Sequence, residues 1–192
     1  MRTCLFGGSF DPVHAGHLAI AAAAQAACGL DRVVFLPAAC SPFKKEGGAM
    51  FPPEVRLAML REATRDLLWA EVSELDLRLP PPSWSWRLVE ARLAECPHEE
   101  LFWLLGTDQW ELLHLWARPE YLAEHLTFIV CHRGSVPAER PGVRAHFLRG
   151  PEHPASASVI RSCLQAGAPL PPGWLPRGVE SAARAFMAHC HK

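Results

Sequence analysis

Lysine is scarce in this chain. It occurs only as Lys44, Lys45 and Lys192, so arginine carries most of the positive charge. The formal net charge of −1 gives no support for a nucleic-acid partner or an anionic membrane surface. No apolar run approaches the ~18–20 residues that a spanning helix needs. No charged lead and apolar core precede the first strand-like run, so no signal peptide is expected. Cys-x-x-Cys is absent. The seven cysteines (Cys4, Cys28, Cys40, Cys96, Cys131, Cys163 and Cys190) are odd in number and scattered. That pattern fits free thiols in a reducing cytoplasm better than a disulfide framework. No Gly-x-Gly-x-x-Gly follows the first apolar run, which argues against a dinucleotide-dependent oxidoreductase. His189-Cys190-His191 has metal-ligand residue types, but its terminal position favours a frayed tail.

What is present is ordinary for a folded chain of 192 residues: 49% hydrophobic and 20% charged. One domain spanning 1–192 is expected, with closing helices from about residue 156. Strand-like and helix-like segments alternate, which argues for α/β with a parallel sheet. Apolar runs at 2–6, 32–36, 101–105 and 126–131 read as buried strands, and the alternation at 143–148 as a further or edge strand. The run 69–79, with Leu75, Leu77 and Leu79 alternating, reads as a strand or extended arm. Helices are expected over 15–28, with Gly29 as the stop, and over 54–67 behind Pro53. Another runs to about 94 from a cap at Ser83 or Ser85, and two more cover 156–165 and 178–188. The segment 37–53 is a long loop of the kind that is often functional.

The richest stretch is Gly7-Gly8-Ser9-Phe10-Asp11-Pro12-Val13-His14-Ala15-Gly16-His17. It reads as the end of a strand, a glycine turn and a helix start. A helix N-terminus attracts anions through its free N–H groups and macrodipole. A glycine turn lets phosphate approach the backbone. Histidines there can donate hydrogen bonds and change charge near neutral pH. Ligands of open α/β sheets sit beyond the carboxyl ends of the strands. The Gly7 turn, the Pro37 loop, Gly106-Thr107-Asp108 and the segment near Arg133 would all fall there, making one site.

The stretch Gly-Gly-Ser-Phe-Asp-Pro-Val-His-x-Gly-His resembles the His-x-Gly-His nucleotidylyltransferase superfamily. Within it, the chain is similar to bacterial nicotinate-nucleotide adenylyltransferases. The resemblance implies a Rossmann-like, doubly wound parallel sheet with helices on both faces, of nucleotidylyltransferase type. Ser83-Trp84-Ser85 resembles the family's Ser-Tyr-Thr signature for the acceptor's nicotinate end. Gly106-Thr107-Asp108 with Trp116 resembles Gly-x-Asp and its following tryptophan. Ser156-Ala157-Ser158-Val159-Ile160-Arg161 resembles Ser-Ser-Thr-x-Ile-Arg, with Ala157 lacking one hydroxyl. Phe43 stands where the family often has histidine before its lysine, here Lys44. Pro176 and Val179 keep the family's closing spacing, without the tyrosine that usually follows.

From these matches the implied reaction is adenylyl transfer from ATP to nicotinate mononucleotide, giving deamido-NAD and pyrophosphate in NAD biosynthesis. The acceptor phosphate is already a nucleophile, so positioning and charge stabilisation suffice. His14, His17, Lys44 and Arg161 are the implied catalytic residues. Gly7, Gly8, Ser9, Phe10, Gly106, Asp108 and Ser158 join His14, His17 and Arg161 around ATP. Lys44, Ser83, Trp84, Ser85, Trp116 and Arg133 would meet the acceptor. Taken alone, Asp108 also reads as a helix cap, Trp116 as core and Arg133 as surface. Mg²⁺ is expected as the cofactor, held by phosphates and water rather than by a protein cage. A homo-oligomer is compatible with the sequence. A nicotinamide-mononucleotide-preferring enzyme remains an alternative, as does another member of the superfamily. Pantetheine-phosphate adenylyltransferases normally carry Thr at the first histidine, and cytidylyltransferases lack the paired 83–85 and 106–108 segments. A non-catalytic nucleotide sensor would be expected to have lost His14, His17 or Arg161.

Overall fold

The computed structural model describes residues 1–40, 49–176 and 178–190. Six strands form one all-parallel sheet: β1 (Arg2–Gly8), β2 (Arg32–Pro37), β3 (Ala70–Val72), β4 (Glu100–Gly106), β5 (Leu126–His132) and β6 (Ala145–Arg149). Their order is β3-β2-β1-β4-β5-β6. The order reverses between β1 and β4, which pair in parallel from Arg2↔Glu100 to Leu5↔Trp103. A doubly wound sheet opens its ligand crevice at such a reversal, beyond the carboxyl ends of the strands.

Because strand side chains alternate, each strand feeds both faces. Cys4, Phe6, Val33, Phe35, Phe102, Leu104 and Ile129 lie in one core. That face is covered by α1 (Ala15–Cys28), α2 (Pro53–Thr64), α7 (Ala157–Gln165) and α8 (Val179–Cys190). Leu5, Val34, Leu36, Leu101, Trp103, Leu105, Phe128 and Val130 fill the other. Against them pack α4 (Ser85–Glu95), α5 (Thr107–Glu111), a 3-10 turn (Leu113–Leu115) and α6 (Pro119–His125). Near-continuous apolar strands are what a sheet buried on both sides requires.

α1 spans the range its alanines predict and stops at Gly29, whose φ of 56° and ψ of 46° are left-handed. Such a stop suits glycine, which has no Cβ to clash. Other expectations need correction. Leu75, Leu77 and Leu79 do not continue a strand, because β3 ends at Val72 and Leu75–Arg78 form the single-turn helix α3. The physical reason is Asp76: buried in that turn, it accepts the Ala39 N–H at 2.8 Å. Neither Ser83 nor Ser85 caps α4, whose N-cap is Trp84 without a side-chain bond. Ser83 is spent elsewhere, its hydroxyl accepting the Cys40 N–H at 3.0 Å. α8 runs through His189 to Cys190, while His191 of the expected tail motif lies outside the described residues.

Candidate active site

The turn after β1 is not built as the glycines suggest. Gly7 and Gly8 are the last residues of β1, and the bend falls on Phe10, at φ 45°. A left-handed residue other than glycine costs about 1–2 kcal/mol. Burial of the Phe10 ring against Phe6, Phe35 and His17, at centroid distances of 5.3, 5.7 and 5.1 Å, offsets it. Of the residues expected to touch ATP, Phe10 therefore gives its ring to the core and only its backbone to the turn. The glycines matter for space. A Cβ on Gly7 would stand 3.0 Å from the Trp103 indole, and one on Gly8 3.1 Å from the Phe10 ring.

His14 is the N-cap of α1 and His17 its third residue. Their rings stack at 3.8 Å with 29° between planes. The His14 N–H donates to His17 Nδ1 at 3.2 Å. An accepting Nδ1 carries no proton, so the neutral His17 ring keeps its proton on Nε2. Burial lowers His14 to a pKa of about 4, helped by the charges of His153 and Arg133. Burial, then His14, lower His17 to about 3. Sequence reasoning had both switching charge near neutral pH. Instead both are uncharged there. His14 is 8% exposed, and its Nδ1 is buried with no protein partner.

Arg161 projects from the first half of α7, whose N-cap is Ser156. Its Nη1 donates to the Asp11 carbonyl at 2.8 Å, and its Nη2 to Ser158 Oγ at 3.3 Å. The two motifs, 150 residues apart in sequence, thus meet in space. Asp11 is buried and was missed as a site residue. Its carboxylate accepts the Met50 and Phe51 N–H groups at 2.8 and 2.9 Å and lies 3.8 Å from Arg161. Arg56 was also missed. It is 1% exposed on α2 and donates to the carbonyls of Phe51, Ser9 and Ala38 at 3.0, 2.7 and 2.9 Å. Its signal was available: Arg56 shares the apolar face of Met59, Leu60 and Ala63 by helical spacing.

Beside the phosphate end lies a cleft of about 460 Å³ lined by Gly7, Gly8 and Ser9, by Ser83, Trp84 and Ser85, and by Gly106, Trp103 and Trp116. That volume is ordinary for a small-molecule site. Trp116 meets Trp103 edge-on at 5.9 Å, and its Nε1–H is buried without an acceptor. Asp108 is exposed in the first turn of α5. Its carboxylate comes within 2.8 Å of where a Gly106 Cβ would stand, so Gly106 leaves room for it. Ser158 is exposed at the start of α7. Arg133 stands near His14, not among the residues lining the cleft. Arg133 follows directly after β5, which ends at His132. Lys44 lies outside the described residues. Among the described residues, no group of three or more His, Cys, Asp or Glu side chains is placed to hold a metal ion, and no helix is long and apolar enough to cross a membrane.

Residues 5–162 match the family model described as Cytidylyltransferase-like. A protein of Thermus thermophilus named "Probable nicotinate-nucleotide adenylyltransferase" is 36% identical, over 94% of this chain and 95% of its own. One of the same name from Solibacter usitatus is 38% identical, over 100% of this chain and 98% of its own. Among solved structures, Plasmodium falciparum nicotinic acid mononucleotide adenylyltransferase complexed with NaAD superposes with a TM-score of 0.79. It covers 100% of this chain and 98% of its own at 14% identity, a likeness of fold.

Proposed function

The chain belongs to the nicotinate-nucleotide adenylyltransferase family of cytidylyltransferase-like proteins, and from that premise we propose how its cleft transfers an adenylyl group from ATP to nicotinate mononucleotide. One observation carries the reading. The stacked His14 and His17 imidazoles and the Arg161 guanidinium meet around the Asp11 turn, at the rim of a cleft bearing Ser83, Ser85 and Trp116.

The triphosphate lies across the N-terminal ends of α1 and α7. Free N–H groups and Nε2–H donors of neutral imidazoles face its oxygens there. The acceptor occupies the cleft, with its pyridine ring among Trp84, Trp103 and Trp116. Trp116 Nε1–H and the Ser83 and Ser85 hydroxyls offer hydrogen bonds to a carboxylate, which only accepts. Asp108 accepts from a ribose diol. An oxygen of the acceptor's 5′-phosphate bonds to the α-phosphorus as the bond from that phosphorus to the β-bridging oxygen breaks. Pyrophosphate leaves with the electron pair, and deamido-NAD remains. His14, His17 and Arg161 hold the oxygens on which negative charge grows, and Lys44 is assigned to the acceptor phosphate. The donors here are imidazoles, hydroxyls and guanidinium, which suit anionic oxygens and ligate Mg²⁺ poorly. Any Mg²⁺ would be held by the phosphates and water, and bound there it would neutralise phosphate charge. The six free thiols among the described residues support a reducing compartment such as the cytoplasm.

The test is to supply Mg-ATP with nicotinate mononucleotide or nicotinamide mononucleotide and follow pyrophosphate. Deamido-NAD should form, with the larger kcat/KM for the carboxylate substrate. No pyrophosphate with either would sink the reading, and a preference for the amide would overturn the acceptor assignment.

A further inference from the structure

One imidazole beside the phosphate end is used by neither the motifs nor the cleft. His153 lies in the segment joining β6 to α7 and is half-buried. Its Nδ1 accepts the Ala155 backbone N–H at 3.1 Å. That bond fixes the tautomer: Nδ1 is bare, so the neutral ring carries its proton on Nε2. His17 is held in the same state by the His14 N–H.

The segment carrying His153 passes close over the first turn of α1. Ala155 is buried, and its carbonyl oxygen would lie 3.6 Å from a Cβ on Gly16. Gly16, having no side chain, permits that approach. His153 is near enough to His14 for its charge to bear on that ring, as does Arg133. His14 Nδ1, buried without a protein partner, lies at the same place, 3.1 Å from where a Gly16 Cβ would stand. The first residue of α7, Ala157, offers no hydroxyl there. The nearby carboxylates are engaged: Asp11 accepts two backbone N–H groups, and Glu152 lies 3.6 Å from Arg149.

We propose that His153 is a third imidazole donor to the phosphates of ATP, its Nε2–H joining His17 and Arg161 where the N-terminal ends of α1 and α7 converge. This rests on the adenylyl-transfer reading above. A donor in that place holds the leaving pyrophosphate and leaves the acceptor alone.

Two variants separate binding from structure. His153→Asn keeps an oxygen near the Nδ1 position, so Ala155 retains its acceptor, but it has no atom at Nε2. His153→Gln keeps an N–H near the Nε2 position and gives up the Nδ1 acceptor. The Asn variant should lose about tenfold in kcat/KM for ATP, the worth of one charge-assisted hydrogen bond. It should keep its Tm and its KM for nicotinate mononucleotide. The Gln variant should stay within about threefold of wild type. Calorimetric affinity for a non-hydrolysable α,β-methylene ATP analogue should fall in the Asn variant by the same factor. Wild-type ATP kinetics and analogue affinity in the Asn variant would overturn the proposal, leaving His153 a tie for its loop. Were the wild-type protein to release no pyrophosphate, adenylyl transfer would fail, while analogue affinity of the Asn variant would still decide His153.

Discussion

His14 and His17 show how burial changes what a residue type can do. Exposed histidine titrates near 6.5, whereas these rings titrate at about 4 and about 3. Two stacked imidazoles in an apolar surround cannot both be charged cheaply, so both are neutral at pH 7, and in the proposed reaction they are neutral donors. Replacing His17 by Ala removes a donor that strengthens as charge develops, and kcat should fall by about 10²–10³. Circular dichroism should stay unchanged, and near-normal turnover would count against the role. The same rings make stability depend on pH. Between about pH 4 and pH 6.5 the unfolded chain binds protons that the folded rings refuse. Their contribution is therefore complete above pH 6.5 and is lost as pH falls toward the folded values. Going from pH 7 to pH 5 should remove on the order of 2 kcal/mol per ring. Urea midpoints at the two pH values measure this, and the difference should shrink in a His14→Gln, His17→Asn double variant.

Arg56 acts between elements. Its guanidinium fastens the turn after β1, the segment after β2 and the segment before α2, through Ser9, Ala38 and Phe51. Burial lowers its pKa, while Asp11, Asp76 and Glu54 oppose that shift. Arg56→Met leaves three carbonyls without their donor, and the expected loss is about 3–5 kcal/mol. Arg56→Lys can replace one of the bonds and should recover part of it. Thermal melts of the two variants give the comparison, and a Met variant as stable as wild type would show that the fastening is idle. Asp11 has a similar place, tying Met50 and Phe51 to the turn that receives Arg161. The Asp11 turn, the segment before α2 and Arg161 of α7 thus share one frame.

At the scale of the molecule, a single sheet with cores on both faces joins every element to the same six strands. Unfolding should be one cooperative transition, with fluorescence of the tryptophans and far-UV dichroism coinciding. Separate midpoints would mean that α7 and α8 melt apart from the sheet. Much of this architecture was legible beforehand. The apolar runs at 101–105 and 126–131 could only be central strands, and Gly29 could only end a helix. The site was legible as segments: Gly7 to His17, 83–85, 106–108 and 156–161 each announce a strand end or helix start. Asp76 and His153 were not legible, and Arg56 only as a charge on an apolar helix face, because their meaning lies in which distant backbone groups they meet.

Local chemistry in the chain by itself determined the parallel α/β architecture, the helix that begins at His14, and the motif segments, since side-chain periodicity and helix-end preferences act over a few residues. Only the tertiary structure decided that Phe10 makes the bend, that Leu75 to Arg78 coil, that Arg133 stands near His14, and that burial lowers the pKa of both histidines. Those outcomes depend on burial and on contacts between segments far apart in sequence, and no window of neighbouring residues contains either.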